Sequence, residues 1–296
     1  MFRTLFNSDA GDSTTMESRR FIQCDVFSPV PTQGNALAVV VDGQGLSDDQ
    51  MRLFAAWTNL AETTFLFPPD DPAADYRVRI LTPSREMPFA GHPTLGSCAA
   101  WLDTGGKPRE AGVVRQECGV GIVEIDISQK DELAFTAPPT TIQPMDLDQL
   151  EAIIETLEIP RAAILHTTHL NNGPVWQVLQ LDSAENVLAV DSSRVRWPAY
   201  KYIGLIGAHS SGAECDYEVR MLAPSSGMSE DPITGSLNAA IAHWMQSDGR
   251  LPGPITVAQG TAIGRHGRVS IRPGKNSENI QIGGQVHILI QGTVNL

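Results

Sequence analysis

Glu62, His92 and Asp231 are the side chains whose type and setting suit proton transfer. Glu62 lies in Leu60-Ala61-Glu62-Thr63-Thr64-Phe65, where a helical pattern gives way to an extended one. A carboxylate beside Leu60 and ahead of Phe65-Leu66-Phe67 is partly desolvated, and loss of water raises its affinity for a proton. The plainer alternative is an exposed turn glutamate. His92 and Asp231 each stand directly before a proline, in Gly91-His92-Pro93-Thr94 and Asp231-Pro232-Ile233-Thr234. Proline favours the first helical turn, so both residues are expected at helix caps. A histidine there feels the positive end of the helix dipole, stays neutral and exchanges one hydrogen bond with a ligand. Both residues are equally at home as ordinary caps. Two equivalent positions holding different groups, one imidazole and one carboxylate, nevertheless match an asymmetric acid–base pair.

The elements that must position these groups form a repeat. From Thr94 to Leu102 the chain is almost wholly apolar or small, which predicts a helix buried on all sides. Its first turn then carries backbone N–H groups with no partner, a ready pocket for an anion. The same device follows Asp231-Pro232, with Gly235-Ser236-Leu237-Asn238-Ala239-Ala240. A similar strand precedes each helix: Val78-Arg79-Ile80-Leu81-Thr82-Pro83-Ser84 matches Val219-Arg220-Met221-Leu222-Ala223-Pro224-Ser225, at an offset of 141 residues. His92 pairs with Asp231, and Gly96-Ser97 with Gly235-Ser236, at 139, so the second loop is expected to be two residues shorter. A half-length duplication predicts two like lobes about a pseudo-two-fold, with their helix starts facing across a cleft.

Composition bounds the rest. A chain of 296 residues suits two lobes of about 150 residues each. The net charge of −13, with no Lys/Arg run, argues against nucleic acid and anionic membrane as partners. Cys24, Cys98, Cys118 and Cys215 are scattered, which disfavours zinc and a disulfide framework and fits a reduced, cytoplasmic setting. Cys98, inside the apolar helix, reads as a small core residue. No second ligand lies at helical spacing from His92, so no metal site is expected. There is no Gly-x-Ser-x-Gly, no Gly-x-Gly-x-x-Gly and no Walker A loop. Residues 1–19 read as a disordered leader, 20–137 as an N-terminal lobe that also takes in 286–296, and 138–285 as a C-terminal lobe, with Pro138-Pro139 at the boundary. Ser47 caps a helix with Gln50 as its capping-box partner, and that helix ends near Asn59. Each lobe is expected to be α+β, with mixed and antiparallel strands wrapped round one apolar helix.

Taken together, Asp25-Val26-Phe27, Gly34-Asn35, Glu62-Thr63-Thr64-Phe65, Thr82-Pro83, Gly91-His92-Pro93-Thr94-Leu95 and Asp231-Pro232-Ile233-Thr234-Gly235-Ser236 resemble the phenazine biosynthesis PhzF-like family. The motifs stand in family order from Phe21 to the C-terminus. The resemblance implies the diaminopimelate epimerase fold, a homodimer, and a cofactor-free isomerase acting on a small carboxylate-bearing, cyclic or amino acid-like substrate. It places the catalytic glutamate on Glu62, the paired groups of the cleft on His92 and Asp231, and substrate contacts on Gly91, Gly235, Ser236 and Asn35. Related racemases use two cysteines near the helix starts. No cysteine stands at His92 or Asp231, which disfavours that chemistry. Leu81 and Ala90 depart from the family pattern and read as packing positions. Two alternatives remain open: an epimerase run by carboxylate and histidine, and an idle small-molecule binder of the same fold.

Overall fold

The computed structural model describes residues 16–194, 202–222, 229–274 and 279–296. The first lobe contains β1 (Ser18–Val26), β2 (Asn35–Val40), α1 (Asp48–Thr58), β3 (Glu62–Phe67), β4 (Tyr76–Leu81), β5 (Glu86–Met87), α2 (Gly91–Asp103), β6 (Val113–Cys118), β7 (Gly121–Asp126) and β8 (Leu133–Thr136). Next come β9 (Thr141–Gln143), α3 (Leu147–Leu157), β10 (Ile164–Asn171), β11 (Val175–Leu181), α4 (Ala184–Ala189) and β12 (Tyr202–Ala208). The chain closes with β13 (Tyr217–Leu222), β14 (Glu230–Asp231), α5 (Gly235–Ser247), β15 (Ile255–Gln259), β16 (Gly267–Pro273), β17 (Ile280–Gly284) and β18 (Val286–Asn295).

The strand pairings repeat in detail. β2 runs parallel to β3, β3 antiparallel to β4, and β4 parallel to β6; β11, β12, β13 and β15 reproduce that series. The small strands β5 and β14 fold back on β4 and β13 in the same register, so Met87 opposite Ile80 corresponds to Asp231 opposite Met221. Two strands pair in equivalent ways: β9, which follows the first lobe in the chain, pairs with β10 at the start of the second, and β18 at the chain's end returns to pair with β1. β8 against β17 joins the lobes into one sheet. Each lobe wraps a thirteen-residue helix, α2 or α5, whose buried residues fill the core.

Equivalence of the helices corrects the expected offset. Gly91 and Gly235 both open their helix, 144 residues apart, and the loop from β13 to β14 is three residues longer than that from β4 to β5. The smaller offset followed the visible Gly-Ser pairs, which lie at different depths in the two helices. The leader is also shorter than expected. Ser18 and Arg19 belong to β1, where the Arg19 guanidinium is buried against the carbonyls of Asp42 and Gln44. Residues 1–15 of the expected leader lie outside the described residues. The Ser47–Gln50 capping box is formed in both directions, and Asn59 ends α1 in the left-handed conformation.

The duplication extends to an ion pair that braces each β-ribbon. Arg79 grips Glu86 through Nε and Nη2 at 2.7 and 2.6 Å, and Arg220 grips Glu230 in the same bidentate way at 3.0 and 2.7 Å. The first pair is partly exposed; the second is sealed, with Arg220 also donating to the carbonyls of Val187 and Val190. Removing one partner of a buried pair strands the other charge, whereas an exposed pair contributes little. Arg220→Met should therefore lose about 3–5 kcal/mol in urea unfolding. Arg79→Met should lose about 1 kcal/mol or less, and equal losses would contradict this account.

Candidate active site

The two helix starts meet glycine on glycine. A Cβ built on Gly91 would stand 3.0 Å from the Gly235 Cα, and one on Gly235 would stand 3.2 Å from the Gly91 Cα. The Phe135 ring backs Gly91 and the Phe27 ring backs Gly235. Phe27 adopts φ 67°, an unusual conformation for a bulky residue, secured by its N–H to the Gln285 carbonyl and its carbonyl to the Arg268 N–H. Neither helix has a side-chain cap. Their first-turn N–H groups thus converge on one junction.

His92 is the second residue of α2 rather than its cap, which is Ala90. Pro93 is accordingly third, a position whose missing N–H costs no helical bond. Asp231 lies further from its expected place. It belongs to β14, and Thr234 is the cap of α5. The ladder to β13 and the Arg220–Glu230 pair hold this segment extended, and Ile233 is buried in the core before the helix begins. The Thr234 hydroxyl donates to Asp231 Oδ2 instead of capping the helix, while Gln259 accepts the Thr234 N–H. Ala90, expected only to pack, therefore occupies a helix cap at the junction. Ala90 and Thr234 hold the caps, and neither is a cysteine.

The structure brings all three ionisable residues together. Glu62 opens β3, tied to α2 by the Ser97 hydroxyl donating to Thr64 Oγ1 at 2.9 Å. Glu62 Oε2 stands 3.5 Å from His92 Nε2, with Glu62 17% and His92 5% exposed. Neither of those two atoms has a hydrogen-bond partner. Asn35 links the far side. Its Nδ2 donates to the Ile233 carbonyl at 2.9 Å and to Asp231 Oδ1 at 3.3 Å, and lies 3.4 Å from His92 Nδ1. The preceding Gly34 is locked by its N–H to Asp25 Oδ2, and a Cβ there would strike the Val26 carbonyl at 2.4 Å. Ser236 follows Gly235 with its carbonyl accepting from Asn172 Nδ2 at 2.8 Å. Asn172 has no local pattern in the sequence to mark it, and Thr234 stands inside the Asp231–Ser236 motif without a role that its type alone reveals.

Burial acts on these groups in opposite senses. It pushes Glu62 up to about 8, helped by the nearby Asp231 carboxylate. It pushes Asp231 up to about 6, against the hydrogen bonds from Thr234 and Asn35 that favour the charged form. It lowers His92 to about 3, offset in part by a hydrogen bond with the Ala36 backbone. Near neutrality Glu62 carries a proton, His92 is neutral and Asp231 is ionised. Among the described residues no group of three or more His, Cys, Asp or Glu is disposed to hold a metal ion, and no helix is long and apolar enough to cross a membrane.

The sequence profile of the PhzC-PhzF family, described as phenazine biosynthesis-like protein, matches residues 24–292. The chain belongs to this family of isomerases. Antisense-enhancing sequence 1 of Schizosaccharomyces pombe is 34% identical, over 94% of this chain and 99% of its own length. Trans-2,3-dihydro-3-hydroxyanthranilate isomerase of Pseudomonas fluorescens is 28% identical, over 83% of this chain and 87% of its own. The solved phenazine biosynthesis protein of the PhzF family from Bacillus anthracis superposes with a TM-score of 0.80 at 20% identity, covering 94% of this chain and 99% of that one. The two-lobed α+β architecture is the diaminopimelate epimerase-like fold.

Because folding raises the Glu62 proton affinity, the native state binds more protons than the unfolded chain between about pH 4.3 and 8. Stability from this group is fully present below that window and is lost as pH rises through it. Glu62→Gln should thus gain stability over the wild type progressively from pH 5 to pH 8 in urea unfolding. A difference independent of pH would place Glu62 in water.

Proposed function

We propose that this chain is a cofactor-independent isomerase that moves a proton on a small carboxylate-bearing substrate, cyclic or amino acid-like, with Glu62 as the shuttle. The observation that carries this reading is the facing pair Glu62 Oε2 and His92 Nε2, buried and without hydrogen-bond partners, with the Asp231 carboxylate nearby. The substrate carboxylate rests on the free N–H groups of Gly91, Gly235 and Ser236 at the opposed helix starts. Ionised Glu62 takes a proton from the carbon beside a double bond, the C–H electron pair moves into that π system, and the double bond shifts. Glu62 then returns the proton at the far end on the same face. His92, neutral, hydrogen-bonds the reacting region, and Asp231 steadies developing positive charge or relays a proton. Asn35 is a positioning residue, since its amide nitrogen is turned to Asp231, His92 and Ile233. Free Cys24, Cys98, Cys118 and Cys215 suit a reduced cytoplasmic setting. The assignment of a homodimer rests on family membership.

Two carboxylates of unlike proton affinity in one pocket also support an epimerase, with Glu62 and Asp231 on opposite faces of one carbon. Reaction in deuterated water separates the two. Double-bond migration with label at a new carbon supports the shuttle, and inversion at the labelled carbon supports the epimerase.

General acid–base catalysis contributes about 10²–10⁴-fold, so Glu62→Gln should lower kcat by that factor with a small change in KM. The kcat/KM of the wild type should rise with pH and level off above about 8, as free Glu62 ionises. Near-normal turnover by Glu62→Gln, or a flat profile, would remove Glu62 from the chemistry.

A further inference from the structure

Asp231 is backed by a buried amide that the acid cluster itself does not contain. Gln259, the last residue of β15, is fully buried, as is Asn238 in α5. The Thr234 N–H and Asn238 Nδ2 both donate to Gln259 Oε1, at 3.0 and 2.9 Å, and Gln259 Nε2 lies 3.0 Å from Thr234 Oγ1. Asn238 Nδ2 also donates to the Thr234 carbonyl at 3.0 Å. Backbone groups have unchanging roles, and they fix the direction of every bond in this chain. The Thr234 carbonyl can only accept, so Asn238 presents its nitrogen to it. The Thr234 N–H can only donate, so Gln259 turns its oxygen there and its NH2 group to the Thr234 hydroxyl. That hydroxyl accepts from Gln259, and its own hydrogen is left for Asp231 Oδ2. The orientation is held at a cost, since Asn238 Oδ1 is buried without a partner.

The first lobe shows the same fold without this device. The positions equivalent to Asp231 and Thr234 are Met87 and Ala90. Gln259, opposite Val219 at the end of β15, corresponds to Cys118 at the end of β6, one step beyond the last β4–β6 pair. Bracing of the helix start is common to both lobes, because Thr94, the twin of Asn238, donates to the Ala90 carbonyl at 2.9 Å. The ribbon and the helix start thus form on methionine, alanine and cysteine. Burying a hydroxyl and an amide where apolar groups suffice gains the fold little. The bonds of the second lobe converge instead on one carboxylate.

We propose that Gln259 is a positioning residue of the acid cluster, acting through the Thr234 hydroxyl to hold Asp231 charged and in one orientation. With the hydroxyl hydrogen aimed at Oδ2, a proton on that oxygen would meet it head-on. Without Gln259 the hydroxyl can turn and accept from a protonated Asp231, so the neutral carboxyl gains a hydrogen bond it otherwise lacks. The inference rests on the reading above for why a charged Asp231 matters, because that charge helps to keep the proton on Glu62.

Carboxyl carbon-13 NMR of the full chain, labelled at Asp and Glu, tests this without a substrate. The Asp231 signal is assigned by its loss in Asp231→Asn. Gln259→Met replaces the amide by an apolar side chain of similar length, and should raise the Asp231 midpoint from about 6 by about one pH unit, the worth of one net hydrogen bond. Thr234→Val should raise it at least as far, and Thr234→Ser, which keeps the hydroxyl, should hold the wild-type midpoint. These substitutions leave in place Glu62 and Glu230, whose charges act on Asp231, and His92 across Asn35. In the wild type the Gln259 side-chain NH2 signals should shift with the Asp231 midpoint, a readout that needs no variant to fold. An unmoved midpoint in folded Gln259→Met, or Gln259 signals indifferent to the titration, would overturn the proposal. Turnover keeps the two ideas apart. A raised Asp231 midpoint beside a fully active Glu62→Gln sinks the proton shuttle alone, and an inactive Glu62→Gln beside an unmoved midpoint sinks the role of Gln259 alone.

Discussion

Everything in this molecule is arranged round one close approach, the backbone of Gly91 against the backbone of Gly235. Two helices that meet at their starts bring like dipole ends together, which is unfavourable on electrostatic grounds alone. The contact persists because the lobes are stitched by two independent devices, the β8–β17 ladder and the return of β18 to β1. A side chain at either position would collide with the Phe27 or Phe135 ring and drive the helices apart. The energy stored in unsatisfied N–H donors is returned when an anion arrives, so the same geometry that strains the free protein favours a bound carboxylate.

Symmetric construction does not give symmetric environments. The Arg79–Glu86 pair stands at the surface, whereas its twin Arg220–Glu230 is sealed and recruits two carbonyls from the end of α4. The sealed copy lies directly before Asp231, and it fixes β14 so that the carboxylate points at Asn35. Its exposed twin lies before Met87, where no such orientation is needed. Burial of an ion pair contributes little net stability by itself, yet it determines which lobe presents a rigidly aimed acid.

The duplication, the two buried helices, the capping box at Ser47 and the three ionisable residues were legible because each leaves a local mark: an apolar run, a proline, a repeated strand. Helix boundaries were not. A proline tells only that a first turn is near, and tertiary contacts then chose Gly91 and Gly235 over the residues beside the prolines. Asp231 looked like a cap because Asp before Pro is a common one; the ladder to Met221 and the burial of Ile233 overrode that preference. The strands β5, β9 and β14 and the helix α4 are too short to show a period. Asn35 illustrates the deeper limit. Its sequence context is a glycine turn, and its value comes from groups at positions 92, 231 and 233 that only the fold brings to it.

One physical cause sets all three protonation states of the cluster. Exclusion of water penalises charge of either sign, so it raises both acids and lowers the histidine. The order is then decided by donors. Asp231 has Thr234 and Asn35 to stabilise its charge, and Glu62 Oε2 has none, so the proton resides on Glu62. An incoming carboxylate brings a second negative charge beside Asp231, which by itself would hold Glu62 protonated and silence it as a base. Two helix starts, each equivalent to about half a positive charge, offset that addition almost fully. Under the proposed proton shuttle, the opposed helices would then have a second task besides binding: they would keep the substrate's own charge from blocking Glu62 as the base.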